Sequence, residues 1–184
     1  TDQEKQSIWH AYFCSSRRSI TLDLDSAEGS EQLELLLTKA DIVLTCPGAF
    51  GVERSKEILK NKNQEELIFI DTCSFRPDCE WADYIAPDIV AGALGGQIAT
   101  TGDSDTAPLK NFGELNFMVS GAYTAISALS ALYNRRETGS GQRVEVSVHE
   151  CIASCLEHVF MFYWYGEAME HPDGRVLPRR GSLH

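Results

Sequence analysis

The sequence predicts an α/β fold with a Rossmann-like, doubly wound and mainly parallel sheet. Three observations predict this class: strand patterns alternate with helix patterns, the connections between them are short, and two of the strands are short, mostly apolar runs. The two apolar strands are residues 41–45 and 67–71. Because strands that are covered by helices on both faces are buried on both sides, such runs favour a parallel sheet between two layers of helices.

The first half of the chain alternates between strand and helix patterns. Residues 19–24 alternate polar and apolar side chains, which is typical of a half-buried strand. Asp25 or Ser26 is a suitable N-cap for the next helix, because either side chain can accept a hydrogen bond from its first turn. The predicted order is a strand at 19–24, a helix to Lys39, a strand at 41–45, a turn at 46–51, a helix at 52–61 and a strand at 67–71.

The second half is predicted to contain three helices and one strand. Pro87 suits the first turn of a helix that ends or bends at the glycine pair 95–96. A long helix at 114–136 is followed by a strand at 143–148 and by a last helix that begins near Glu150.

Two surfaces of these helices are expected to be packed. The last helix carries an aromatic cluster at 160–165, which we expect in the core or in an interface between subunits. The long helix has a face of mostly small residues that would permit close packing, formed by Gly121, Ala125, Ala128 and Leu132.

The composition is that of one acidic globular domain. The chain has 184 residues and a formal net charge of −11, which argues against binding to nucleic acid or to an anionic membrane surface. The apolar runs are shorter than the roughly 20 residues of a membrane span, and the N-terminus has no secretion signal, so we expect a cytoplasmic protein. The basic pairs at 17–18 and 135–136 allow two interpretations, solvated surface charge or a local site for an anionic ligand.

The sequence contains no motif for metal, dinucleotide or serine-nucleophile chemistry. Its six cysteines form no C-x-x-C pair and no histidine spacing completes a zinc site, so we expect reduced thiols and no metal. The dinucleotide-binding glycine fingerprint, the P-loop and the G-x-S-x-G elbow are absent as well. From the residues alone, the prediction ends at a domain that binds a ligand at the carboxyl edge of its sheet.

Several stretches resemble motifs of the class III CoA-transferases, the family of formyl-CoA and carnitine CoA-transferases. They occur in the order of that family: CSSRRSITLDL at 14–24, ADIVL followed by Pro-Gly at 40–48, Gly-Gly and Thr-Gly before a proline at 95–108, and ALSALYNRRETGSGQRVEVSV at 128–148. The last stretch is the most specific, because a small-residue helix, a basic turn, a glycine stop and an alternating strand follow one another.

The resemblance implies interlocked dimers whose chains each have a Rossmann-like large domain and a small domain. Residues 1–184 would be a central part of the large domain, without the family's first strand–helix unit and without the small domain. The resemblance also implies that the assembly moves CoA between an acyl-CoA and a small carboxylic acid without a metal. The implied CoA contacts are Arg17, Arg18, Gly48, Gly95, Gly96 and Gly102.

The nucleophile of that family is missing from its expected position. Such enzymes carry an aspartate four residues before a helix glycine; here the glycine is Gly121, and Phe117 stands at the aspartate position. A shift by one residue gives Asn116, whose amide is a very poor nucleophile. The nearest carboxylate, that of Glu114, is displaced by about one helical turn.

Three hypotheses follow from this departure. The favoured one is a non-catalytic half that keeps the fold and pairs with a catalytic copy, as a homodimer, a heterodimer or a tandem protein. The alternative is an active transferase that uses Glu114 or a carboxylate from another domain or chain. A weaker alternative is an unrelated α/β nucleotide-binding enzyme.

Overall fold

The chain forms two compact units, residues 1–39 and residues 40–184. The structure is a computed structural model, and it describes residues 8–46, 65–82, 84, 86–102, 106–157 and 159. The aromatic cluster at 160–165 and the helix expected at 52–61 lie outside these residues, as does the turn at 46–51 apart from Cys46.

The first unit contains two helices, α1 at Ile8–Phe13 and α2 at Ala27–Leu37. Ser26 is the N-cap of α2, and its Oγ accepts a hydrogen bond from the Gly29 amide at 3.0 Å. The predicted helix and one of its two candidate caps are therefore confirmed. Gly29 is required here, because an added Cβ would lie 1.9 Å from the carbonyl oxygen of Asp23.

The strand predicted at 19–24 is wrong, because the backbone is irregular there. A strand is held by hydrogen bonds to a neighbouring strand, and the described part of the first unit, residues 8–39, contains no second strand to supply them. Alternation of side chains alone does not form a strand. Ile20 is accordingly 64% exposed instead of packing on a face.

The second unit contains a sheet of three parallel strands, β1 at Ile42–Thr45, β2 at Ile68–Cys73 and β3 at Arg143–Ser147. β2 lies in the middle, with β1 and β3 on its two sides. The three strands predicted for this unit, and their parallel arrangement, are confirmed to within two residues.

The described part of the second unit also contains three α-helices, two between β2 and β3 in the chain and one after β3. They are α3 at Asp88–Leu94, α4 at Leu115–Thr138 and α5 at Val148–Ser154, with a short 3₁₀ turn at Ile98–Thr100. α4 ends at Gly139, whose φ of 75° is favourable for glycine and whose amide donates to the Arg135 carbonyl at 2.8 Å. Pro87 precedes α3 as its N-cap, one position before the predicted place.

The core of the second unit lies between one face of the sheet and the helices α4 and α5. Its buried members come from two strands and two helices: Ile68, Ile70, Val146, Ala131 and Cys151. Burial of an Ile or Val side chain stabilises the folded state by about 1.5–3 kcal/mol. This core fixes the position of α4 relative to the strands.

The small-residue face predicted for α4 is correct only in its second half. Ala128 and Leu132 pack against the core, but Gly121 and Ala125 are exposed. The buried side of the first half is polar instead, with Ser120 and Thr124 donating to carbonyl oxygens one turn back. These hydroxyls can be buried because their hydrogen bonds are made within the helix; a hydrophobic pattern does not reveal them.

The basic pair at 135–136 has a structural role through its first member. Arg135 donates to the backbone oxygens of Asp41 at 3.3 Å and Glu66 at 3.0 Å, and it forms an ion pair with the Asp41 carboxylate at 3.0 Å. The last turn of α4 is thus tied to the residues that precede β1 and β2. The interpretation as an anion site does not hold for Arg135.

α4 is also long and apolar enough to span a membrane, judged by its 24 residues and its composition. This differs from the expectation drawn from the sequence. Core helices of soluble proteins satisfy the same criteria, and α4 contributes Ala131 to the core between the sheet and α5. The finding is therefore weak evidence for a membrane segment.

Cys73 and Cys151 are expected to be chemically inert. Burial, and then the carboxylates of Asp71 and Glu145, raise the pKa of Cys73 from 9.0 to about 12, and burial raises that of Cys151 to about 11. A raised pKa means less thiolate, the reactive form, at any pH below it. At pH 8 we expect iodoacetamide to label Cys73 at least about 100-fold more slowly than the exposed Cys155.

Peptide mass spectrometry after timed quenching measures both labelling rates in one sample. Labelling of Cys73 and Cys155 at similar rates would contradict the raised pKa. The same experiment in 6 M guanidinium chloride is the control, because both thiols should then react alike.

Candidate functional site

The residues singled out as candidate nucleophiles lie at the beginning of α4. Glu114 is the residue at the N-cap, and its backbone carbonyl accepts from the Met118 amide at 3.0 Å. Its side chain is partly exposed and makes no hydrogen bond or ion pair within the part of the chain that is described. Phe117 is 38% exposed in the first turn.

Asn116 is buried and already engaged. Only 1% of the residue is exposed, and its Nδ2 donates to Asp88 twice, to Oδ2 at 2.9 Å and to the backbone oxygen at 3.1 Å. Its Oδ1 is buried without a hydrogen-bond partner among the described residues. An amide held in this way is not available to attack a substrate.

Asp88 is the residue that the sequence analysis missed. It is the first residue of α3 and only 2% exposed, yet its carboxylate reaches the first turn of α4. Oδ1 accepts from the Phe117 amide at 3.1 Å, while Oδ2 accepts from Asn116 and lies 3.5 Å from Nζ of Lys110. In the sequence, an Asp after Pro at a helix start indicates only a favourable charge at its own N-terminus.

Two more residues complete this junction between α3 and α4. Lys110 also donates to the backbone oxygens of Asn111 and Gly113, so the loop before α4 is tied to Asp88. Gly92 makes room for the Asn116 amide, since a Cβ there would lie 2.6 Å from Nδ2. The junction therefore joins one carboxylate, one amide and one ammonium.

The glycines expected to contact CoA are placed as follows. Gly95 lies against α5, where a Cβ would be 2.7 Å from Cβ of Ile152. Gly96 and Gly102 have φ values of 89° and 112°, which glycine adopts freely. Gly48 lies outside the described residues.

The two arginines of the expected CoA site belong to the other unit. Arg17 and Arg18 are exposed and follow α1 in residues 1–39.

A charged cluster crosses the sheet from β1 to β3. Oγ1 of Thr45 donates to Asp71 Oδ1 at 2.7 Å, and Nη2 of Arg143 donates to Asp71 Oδ2 at 2.9 Å and lies 2.9 Å from Oε1 of Glu145. Asp71 and Glu145 are direct neighbours across the strands, so the single positive charge of Arg143 is shared by two adjacent carboxylates. Within the described ranges, no group of three or more His, Cys, Asp or Glu side chains could hold a metal.

A shallow cavity of about 230 Å³ lies where β3 runs into α5. In α/β sheets, ligands bind outside the carboxyl ends of the strands, which is where this cavity is. Its lining is rich in hydroxyls and carboxylates, from Tyr123, Ser127, Glu145, Ser147, Glu150 and Ser154. The cavity is large enough for a small polar molecule.

Comparison with known proteins connects this architecture to one family. The family model described as CoA-transferase family III matches residues 1–182. A formyl-CoA:oxalate CoA-transferase of Escherichia coli O139:H28 is 35% identical over 193 residues, covering 96% of this chain and 45% of the relative. The enzyme of the same name from Streptomyces avermitilis is 29% identical over 185 residues, with the same coverage.

Solved structures show the same fold. A CAIB/BAIF family protein from Brucella suis matches with a TM-score of 0.73 and 26% identity, covering 82% of this chain and 40% of that one. A hypothetical protein from Mycobacterium tuberculosis matches with a TM-score of 0.69 at 22% identity, covering 80% and 43%. The chain thus spans less than half the length of the proteins it resembles.

Proposed function

Because this chain belongs to CoA-transferase family III, we propose that it is part of an assembly that moves CoA between an acyl-CoA and a small carboxylic acid. We further propose that this copy does not supply the nucleophile. Two points in the first turn of α4 support this second part. Residue 117, which the resemblance matches to the family's aspartate, is a phenylalanine, and the nearby carboxylate of Asp88 is buried and accepts hydrogen bonds through both oxygens.

The substrate class is supported by the relatives. The two relatives described above are named formyl-CoA:oxalate CoA-transferases, and these names describe one acyl-CoA and one dicarboxylic acid. Coenzyme A is then a substrate that is passed on, and no step requires a metal.

The chemistry requires a carboxylate that can reach the thioester. In such a transfer the carboxylate oxygen attacks the thioester carbonyl, the C–S bond breaks, and a mixed anhydride and the CoA thiolate are formed. Asp88 does not meet this requirement, because only 2% of the residue is exposed and its oxygens face the junction. Phe117 has no group that could attack.

The second candidate is an active copy that uses Glu114. One observation favours it: this carboxylate is partly exposed and makes no ion pair or hydrogen bond among the described residues. It lies three residues before Phe117, so it would approach the thioester from a different place than the family's aspartate does. The family assignment replaces the weaker hypothesis of an unrelated nucleotide-binding enzyme.

Four finer expectations stay part of the proposal. Residues 1–184 would be a central part of a doubly wound large domain. The assembly would be an interlocked homodimer or a heterodimer with a catalytic copy. CoA would contact Arg17, Arg18 and the glycines named above, and the protein would be cytoplasmic.

Trapping of the covalent intermediate tests the proposal. The complete polypeptide that carries this chain is incubated with a panel of acyl-CoAs, treated with hydroxylamine or borohydride, and mapped by peptide mass spectrometry. We expect an adduct on an aspartate of a companion domain or chain and none on residues 114–117. The Glu114→Gln variant should keep its transfer rate to within about twofold.

Two outcomes would contradict the proposal. An adduct on Glu114, together with loss of transfer in Glu114→Gln, would show that this copy is catalytic. Absence of any CoA transfer by the assembly would contradict the assigned activity itself. Glu137→Gln in the last turn of α4 is the matched control, because it removes an exposed carboxylate far from the first turn.

A further inference from the structure

We propose that Asp88 is a positioning residue: its carboxylate, although it belongs to α3, is the cap that fixes the backbone of α4 at position 117. The inference rests on the proposed function in one respect only, that position 117 is where the family carries its nucleophile. The hydrogen bonds themselves are independent of any activity.

The first turn of α4 needs such a cap from elsewhere. The first amides of a helix have no partner within the helix, and usually a side chain at the N-cap accepts one of them. Glu114 occupies the N-cap of α4 but makes no side-chain capping bond. Asp88 Oδ1 accepts from the Phe117 amide at 3.1 Å and so does what the N-cap side chain does not.

Three described groups stabilise the negative charge of Asp88. Asn116 donates to Oδ2, Lys110 lies 3.5 Å from the same atom, and the N-terminus of α4 carries a partial positive charge. A buried carboxylate is strongly unfavourable without such partners. Asn116 and Lys110 contact Oδ2, so Oδ1 remains to accept from the Phe117 amide.

This hydrogen bond fixes the backbone atoms from which the side chain at position 117 extends. The backbone there is fixed from a neighbouring helix, so its position does not depend on which side chain it carries. This copy keeps that arrangement although position 117 is a phenylalanine.

Amide hydrogen exchange of the complete polypeptide tests the proposal without any activity measurement. In Asp88→Ala we expect the Phe117 amide to exchange at least about tenfold faster, because a charge-assisted hydrogen bond is lost. Asn116→Ala disturbs the same buried region but leaves the Asp88 carboxylate bound to the Phe117 amide. The exchange rate of that amide should therefore stay within about threefold of the rate in the original protein. Asp78→Asn, which removes an exposed carboxylate paired with Arg76, is the control and should change nothing at α4.

Asp88→Asn keeps the size of the side chain and one acceptor oxygen, and it decides the matter if Asp88→Ala does not fold. Its Phe117 amide should exchange at a rate between those of the original protein and the alanine variant, while α4 after Thr124 stays within about twofold. Unchanged exchange at Phe117 in both Asp88 variants would overturn the proposal. An equal effect of Asn116→Ala, or an effect spread evenly along α4, would also overturn it, because Asp88 would then be an ordinary core residue.

Discussion

Replacing Gly141 with alanine should lower the free energy of unfolding by about 3 kcal/mol or more. An added Cβ would lie 2.1 Å from the carbonyl oxygen of Leu67 and 2.5 Å from the carbonyl carbon of Glu66. These are backbone atoms directly before β2, and the Gly141 amide donates to the Glu65 carbonyl at 2.8 Å. The two segments cannot separate without losing that bond and disturbing the register of β2 and β3.

Gly139→Ala is the matched control, two residues away in the same loop. No atom lies within 4 Å of its added Cβ, so only the φ of 75° opposes alanine. That conformation costs a residue with a side chain about 1 kcal/mol. Urea unfolding followed by circular dichroism measures both variants, and equal losses would show that contact with residues 66–67 is not what requires glycine at 141.

Arg143→Met should destabilise the second unit by about 3 kcal/mol, because it removes the cation from a partly buried group. The side chains of Arg143 and Asp71 are only 18% and 13% exposed. Without the guanidinium, the carboxylates of Asp71 and Glu145 stand opposite each other on neighbouring strands with no positive charge between them. Methionine keeps most of the volume of the arginine side chain, so lost packing contributes little.

A double-mutant cycle separates the charge effect from the rest. In Asp71→Asn the amide oxygen can still accept from Thr45, and Arg143 keeps Glu145 as its partner, so the loss should be about 1 kcal/mol. The double variant should be more stable than Arg143→Met alone, since only one carboxylate is then left without a cation. Additive losses, measured by the same urea unfolding, would contradict the assigned coupling.

The sheet of the second unit could be predicted because its strands carry their own signal. Residues 41–45 and 67–71 are mostly apolar runs too short for a helix, and glycine after α4 marks its end. The segment 19–24 has an equally regular pattern, but strand formation also needs a partner, which a local pattern does not contain. For the first half of α4, the prediction placed the wrong face of the helix in the core. Buried Ser120 and Thr124 resemble surface residues until their hydrogen bonds are known.

The candidate site was predicted in part. The match of position 117 to the family's aspartate stays a prediction from the resemblance, and the structure places Glu114, Asn116 and Phe117 together in one turn. Asp88 could not be found in this way, because it lies 29 residues before Phe117 and meets it only through the packing of α3 on α4. A contact of this kind depends on tertiary structure and leaves no periodic trace in the sequence.

The order of the strands has a consequence for biosynthesis. Arg135 and Asp41 are 94 residues apart in the chain, and β3 pairs with β2 only after the whole of α4 has been made. Contacts between such distant residues require closure of a long loop and slow the folding reaction. A nascent chain that has not yet reached Arg143 presents one side of β2 as an unpaired edge, which is a site for aggregation. Translation speed and chaperone capture should therefore affect the yield of this protein more strongly than that of a helical bundle of equal length.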